Sequence, residues 1–435
     1  MEIAYERCCG IDIHKKMLVA CLITQGASGR RTKELRTFLT VTEALLDLRD
    51  WLSSAGCTHV AMEATGVYWK PVYRLLEGGF ELLVVNAQHI KAVPGRKTDV
   101  KDAEWIADLL QHGLLTSSFI PPTEQRDLRE LTRYRTSLIE DRARVVNRLQ
   151  KTLEETNLKL GDVVSDITGK SARAILDALL AGETDPSVLA DLARGRLKAK
   201  RAALEQALVG SLKAHHRFLL SEHLSHMDTL EESIRRVSQE IEQRMQTLEL
   251  ADQHDHTEEA REQSSQAPLS WAQAVTLLTT IPGISQRAAE GVLAEIGTDT
   301  TRFPSARHLA SWAGMCPGNH ESAGKRLNGR TRKGSPWLRK LLVEAALAAS
   351  HTKNTYLSAQ YRRIAARRGS KKASIAVGHT ILIIIFHLLQ RQQSYEDLGG
   401  NYFDEHERQA TEKRLVRRLE KLGYQVSLQP VAQVA

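Results

Sequence analysis

The chain is 435 residues and 48.6 kDa, with 60 Lys+Arg against 52 Asp+Glu and a formal charge of +8. Its apolar fraction of 42%, with 27 Gly and 11 Pro, excludes collagen-like, wholly disordered and disulfide-scaffold chains and leaves room for about three domains. The charge is unevenly spread: net 0 over residues 1–112, −4 over 113–270 and +12 over 271–435. Within the last third, His320–Lys372 holds 14 Lys/Arg and only Glu321 and Glu344 as acids. Such a block points to a bound polyanion more than to a solvated face.

Residues 1–112 alternate short strand and helix signals. CCGIDIH and MLVACLIT read as two strands about a turn at His14–Lys16, with a third at Glu34–Leu39. Thr42 is the expected cap of the helix TEALLDLRDWLSSAG. The strand HVAMEA, the helix YWKPVYRLLEGG, the strand ELLVVN, a polar loop VPGRKT and the helix VKDAEWIADLLQHG follow. The order β-β-β-α-β-α-β-α predicts an α/β domain over 1–120 with a mixed sheet.

Residues 121–250 read as long, charged helices at near-heptad spacing, an antiparallel coiled-coil arm suited to assembly. Residues 251–269 are polar and read as a linker, whose His254 and His256 have no structured partner for metal binding. Residues 270–395 are expected to be mainly α. LLTTIPGIS-QRAAEGVLAEIG reads as helix, tight turn and helix, a helix–hairpin–helix-like unit that could offer backbone N–H groups to a phosphate; an IPG turn between two core helices would read alike. The apolar stretch Ala373–Leu389 is about 17 residues long and broken by Ser374, His379, Thr380 and His387. It reads as a buried helix rather than a span, so no membrane is expected. Residues 396–435 form a charged helical tail. The five cysteines show no pairing or CxxC spacing and read as reduced core residues, which suggests a cytoplasmic setting.

The chemistry is carried by acids in unexpected places. Asp12 interrupts an apolar strand, Glu63 ends another, and Asp99 and Asp102 share one face at a helix start. If the first and fourth strands are neighbours, Asp12 and Glu63 come together, and the last helix can bring Asp99 and Asp102 over the same edge. Four converging carboxylates need a cation to remain ionised. Hard oxygen donors suit Mg²⁺ or Mn²⁺, and a pair of ions about 4 Å apart would clamp a phosphoryl displacement. Taken singly, each acid could equally be a helix cap or half of an ion pair.

This arrangement resembles the RNase H-like fold, in its RuvC-like, junction-resolvase branch. GIDIHKK, MEATGVYWKP, GRKTDVKDAEWIADLL, IPGIS, FPSARHLASWAGMCPG and KRLNGRTRKGSPWLRKLLVEAA together resemble the DEDD transposases of the insertion-sequence 110 type. The resemblance covers the first 150 residues and roughly 271–350. It implies that Asp12, Glu63, Asp99 and Asp102 are the catalytic metal ligands and that Ser322 attacks a DNA phosphate to give a covalent phosphoserine. The family has Ser-Gly at that point, where this chain has Ser322-Ala323-Gly324. It further implies a structured guide RNA from the element, target and donor DNA as partners, a homo-oligomer (dimer to tetramer) through the coiled coil, and a nucleoid-associated bacterial setting.

On the residues alone, Ser322 is a loop serine with no assigned base. Lys325, Arg326, Arg330, Arg332 and Lys333 follow it and suit phosphates, as do Arg339, Lys340, Arg367, Arg368, Lys371 and Lys372 further along the block. Few aromatics lie among them, which favours holding a backbone over stacking bases. Competing readings are a metal-only junction nuclease with a structural Ser322 and a non-catalytic nucleic-acid-binding protein. An actin-like phosphotransferase is a further one, though GIDIH lacks the Gly-Thr expected after its Asp.

Overall fold

The computed structural model describes residues 3–25, 31–64, 66–86, 102–255, 269–318, 320–322, 325–328, 331, 334–406 and 408–428. They form two compact units, Met1–Pro121 and Pro122–Ala435.

The first unit is a five-stranded mixed sheet in the order β3-β2-β1-β4-β5. Its strands are β1 (Arg7–Ile13), β2 (Met17–Gln25), β3 (Arg31–Leu39), β4 (His59–Glu63) and β5 (Glu81–Val85). β1, β2 and β3 run antiparallel in a meander, while β4 and β5 run parallel to β1. The central strands are apolar on both faces because helices cover both. On one face Cys9, Ile11, Ile13, Val60 and Met62 pack on α1 (Thr42–Ser54) and α2 (Trp69–Leu76). On the other, Cys8, Ala61 and Val85 pack on Ala103, Ile106 and Ala107 of α3 (Asp102–Gln111). Thr42 is not the cap of α1: Val41 holds that position with extended backbone, and no side chain caps the helix.

Among the described residues, the second unit is helical apart from one hairpin. α4 (Thr123–Glu155) and α5 (Ala214–Asp255) form an antiparallel pair, since Arg142 Nε meets Glu231 at 2.8 Å while Asp127 meets Arg244 at 3.4 Å. Leu138, Val145, Leu149 and Leu153 recur at spacings of seven and four along α4 and interlock with Leu220, Leu224, Met227, Leu230 and Ile234 of α5. Short helices between residues 160 and 207 join the same core. α5 continues to Asp255, five residues into the expected linker; 256–268 lie outside the described residues.

Next come α6 (Trp271–Thr279), α7 (Gln286–Ile296), α8 (Ala306–Trp312), the hairpin β6 (His320–Ser322)–β7 (Lys325–Asn328), α9 (Pro336–His351), α10 (Tyr356–Arg368), α11 (Ser370–Arg391), α12 (Tyr402–His406) and α13 (Arg408–Glu420). Ser270 and Gln273 form a capping box on α6, and Ser285 caps α7. Between them Gly283 has φ +91°, and a Cβ there would lie 2.4 Å from the carbonyl of Ala345 and 2.6 Å from the nitrogen of Ala349 in α9. The IPGI turn therefore serves close packing of its own unit.

α11 is the one helix among the described residues long and apolar enough to cross a membrane, with mean hydropathy 1.8. Ala373, Val377, Ile381, Leu382, Ile385 and Leu389 are nonetheless buried within the unit, as the broken apolar stretch predicts.

Candidate active site

The sheet positions two of the four predicted acids side by side. β1 and β4 are parallel neighbours with Gly10 opposite Ala61 and Ile11 opposite Met62, so Asp12 and Glu63 are next in line. Alternation puts Asp12 on the face of Cys8 and Gly10, and Glu63 on the face of Ala61, which is the α3 face. Gly10 sets how α3 lies there. A Cβ at this position would sit 2.3 Å from the nitrogen of Ala107 and 2.5 Å from the carbonyl of Ala103. Cys8, one pair back, meets the Ala107 carbonyl at 3.9 Å. α3 thus runs opposite to β1, and its first residue, Asp102, lies toward the strand ends that carry Asp12 and Glu63. The carboxyl ends of parallel strands are where open α/β sheets bind ligands.

Asp12 keeps 18% of its side-chain surface exposed, and its Oδ2 lies 3.1 Å from Nε2 of His14. His14 was not anticipated as a partner; it lies two residues beyond Asp12, in the turn that follows β1. Asp99 lies outside the described residues. Among the described residues, no three His, Cys, Asp or Glu side chains are grouped closely enough to hold a metal ion.

The opposite end of the sheet is held by ordinary interactions. Lys33 on β3 pairs with Asp108 at 2.8 Å and Glu104 at 3.7 Å on α3, and Arg31 also pairs with Asp108. Four of the five cysteines, Cys8, Cys9, Cys21 and Cys57, are buried. Burial pushes the thiols of Cys8 and Cys57 up to about 12, and drives that of Cys9 up as well.

In the second unit, Ser322 ends β6 and pairs with Lys325, the first residue of β7, with two residues between them. It therefore sits at the tip of a β-hairpin. The sequence reading expected no strands there, because three- and four-residue strands of polar residues carry no apolar alternation. Lys325 and Arg326 lie on β7, while Arg330, Arg332 and Lys333 lie outside the described residues. Arg339 donates to the Gly314 carbonyl at 2.6 Å and to Thr331 Oγ1, and Lys340 pairs with Glu140 and, at 3.8 Å, Glu344. Arg367, Arg368, Lys371 and Lys372 are exposed at the corner between α10 and α11. No acid occurs in the sequence between Glu344 and Glu396.

A buried ion network lies in the same unit and was missed by the sequence reading. Glu295 on α7 is 1% exposed, accepts two hydrogen bonds from Arg133 at 2.6 and 2.9 Å, and has Arg129 at 3.7 Å. Arg135, 4% exposed, reaches Glu290 at 2.7 Å. These pairs join α4 to α7.

A five-stranded mixed sheet with helices, followed by a helical unit, is consistent with an RNase H-like domain joined to a helical part. Two family descriptions match the chain in tandem: "Transposase" over residues 9–158, which includes all four acids, and "Transposase IS116/IS110/IS902 family" over residues 275–362, which includes Ser322. Together they cover more than half of it. The chain is 26% identical over 402 residues to the transposase for insertion sequence element IS1111A of Coxiella burnetii, covering 89% of this chain and 90% of that protein. It is 25% identical over 356 residues to a probable family 20 transposase of Pseudomonas aeruginosa, 80% of this chain and 88% of that one. A pilin gene-inverting protein of Moraxella bovis shares 30% over 125 residues, 28% of this chain and 38% of that one. This protein belongs to the insertion-sequence 110 family of transposases, whose members act on DNA.

Proposed function

We propose that this transposase cuts and rejoins DNA by phosphoryl transfer using two groups of residues, the acids Asp12, Glu63, Asp99 and Asp102 and the hydroxyl of Ser322. The observation that carries the reading is the parallel register of β1 and β4, which leaves Asp12 and Glu63 next in line at one sheet edge, with α3 beginning over the same face. The four carboxylates would hold Mg²⁺ or Mn²⁺; when bound, such an ion offsets charge that develops on a reacting phosphate. Ser322 Oγ bonds to phosphorus as a bridging P–O bond of the DNA breaks. The strand's leaving oxygen takes up a proton, and the Ser322 proton is lost. Reversal by a second strand end's hydroxyl releases the serine and rejoins the DNA, with the phosphodiester bond energy conserved.

Lys325, Arg326, Arg330, Arg332 and Lys333 hold phosphates beside Ser322, and Arg367, Arg368, Lys371 and Lys372 hold backbone further out. Arg339 and Lys340 are omitted from this set because their contacts lie within the unit. The target and donor strands are selected by pairing with a structured RNA of the element, which suits a basic surface without an array of base-reading side chains. The α4–α5 pair supports assembly into a dimer or tetramer.

Two variants test the reading on the element's own DNA ends. Ser322→Ala should abolish the covalent protein–DNA adduct and strand exchange, and Asp12→Asn should abolish cleavage and its dependence on Mg²⁺. Cleavage that persists in Ser322→Ala without an adduct would identify a metal-only nuclease. DNA binding unchanged by every variant, with no cleavage by the parent, would identify a binding protein.

A further inference from the structure

The hairpin that bears Ser322 has strands of three and four residues, and a two-stranded hairpin of that size is marginal in water on its own. Its placement must come from its base. One guanidinium spans that base. Arg339, the fourth residue of α9, donates from Nη2 to the carbonyl of Gly314 at 2.6 Å and to Oγ1 of Thr331. Gly314 lies on the leg that enters the hairpin and Thr331 on the leg that leaves it. A backbone bridge between Pro317 and Thr331 closes the same point.

The surroundings hold α9, and so Arg339, in place. A Cβ on Gly334 would sit 2.3 Å from the Ala313 carbonyl carbon, so the two legs run in contact. Ser335 caps α9 by accepting from Leu338 N at 3.2 Å, and its hydroxyl donates to Glu295 at 3.1 Å. Glu295 is itself fixed by Arg133 of α4. Arg339 is half-buried at the foot of this chain of contacts, with its Nη2 turned toward the two legs.

We propose that Arg339 is a positioning residue that clamps the legs of the hairpin and sets where Ser322 is presented, and that it makes no contact with nucleic acid. The role in catalysis rests on the Ser322 reading above; the clamp itself does not. A misplacement of about 1 Å at a reacting group can cost about 100-fold in rate, so a loosened hairpin should show chiefly in the chemical step.

The test uses the full chain and the variants Arg339→Ala, Arg339→Lys and Thr331→Val. Three quantities are measured: amide hydrogen exchange over 317–331, affinity for a random-sequence duplex, and the rate of adduct formation on the element's own ends. Arg339→Ala should speed exchange in the hairpin and slow adduct formation, each by roughly tenfold or more, with duplex affinity within about twofold of the parent. Arg339→Lys should recover much of both, because an ammonium can donate to both legs. Thr331→Val removes one acceptor and leaves the cation, so faster hairpin exchange with an unchanged melting temperature keeps the clamp testable if Arg339→Ala unfolds. Loss of duplex affinity in step with the adduct rate, with hairpin exchange unchanged, would make Arg339 a phosphate contact and overturn the proposal. Unchanged exchange and adduct rate would overturn it as well. Should the parent form no adduct at Ser322, the serine reading fails, and hydrogen exchange alone decides the clamp.

Discussion

Gly10→Ala should unseat α3 from the five-stranded sheet. The added methyl would lie 2.3 Å from the Ala107 nitrogen and 2.5 Å from the Ala103 carbonyl oxygen, both backbone atoms that no rotamer change can move. Ordinary contact needs about 3.5 Å, so the helix must retreat by roughly 1 Å. Overpacking costs about 1–3 kcal/mol, and an unyielding backbone neighbour puts this site near 3 kcal/mol. With a urea slope of about 2 kcal/mol per M, the unfolding midpoint of this unit should fall by about 1.5 M. Because Asp102 begins the displaced helix, cleavage should fall by up to about 100-fold as well. Ile11→Val is the control. It trims the opposite face of the same strand, should cost about 1 kcal/mol, and should leave cleavage intact. A Gly10→Ala midpoint within about 0.2 M of the parent would refute the seating of α3 on Gly10.

Glu295→Ala leaves Arg133 and Arg129 without their buried acid and should cost about 3–5 kcal/mol, read as a lower melting temperature of the helical unit. Removing Lys371 and Lys372 together should weaken duplex binding at all sequences and lower the slope of log affinity against log salt by up to about 1.8. The buried thiols predict an alkaline limit. Cys8 and Cys57 keep their protons in the folded state up to about pH 12, against an ordinary value of 9.0, so their stabilisation is complete below about pH 9 and is lost as pH rises toward 12. Thiol-specific labelling in the folded protein at pH 8 should accordingly miss both, and prompt labelling there would contradict their burial.

The sequence by itself determined the element order of the first unit, because strands buried on both faces and amphipathic helices differ in period. It also marked Asp12 and Glu63, since an acid in an apolar strand stands out without any partner in view. The motifs, read as text, pointed to the family that matches both parts of the chain. Composition likewise kept α11 inside the protein, through Ser374, His379 and Thr380. What it left open was pairing. That β1 lies beside β4, with Asp12 and Glu63 next in line, depends on a contact across 50 residues, which no local period encodes. Gly10 looked like one more strand residue until α3 was seen to fill the space of its absent side chain. The hairpin under Ser322 was invisible because its strands are polar and too short to alternate. Arg339 and Lys340 read as part of a basic block, but charge in a sequence does not say where it points. Tertiary structure alone turned Arg339 inward to the legs of the hairpin and gave Glu295 its buried arginines, because only folding brings residues distant in sequence within hydrogen-bonding reach.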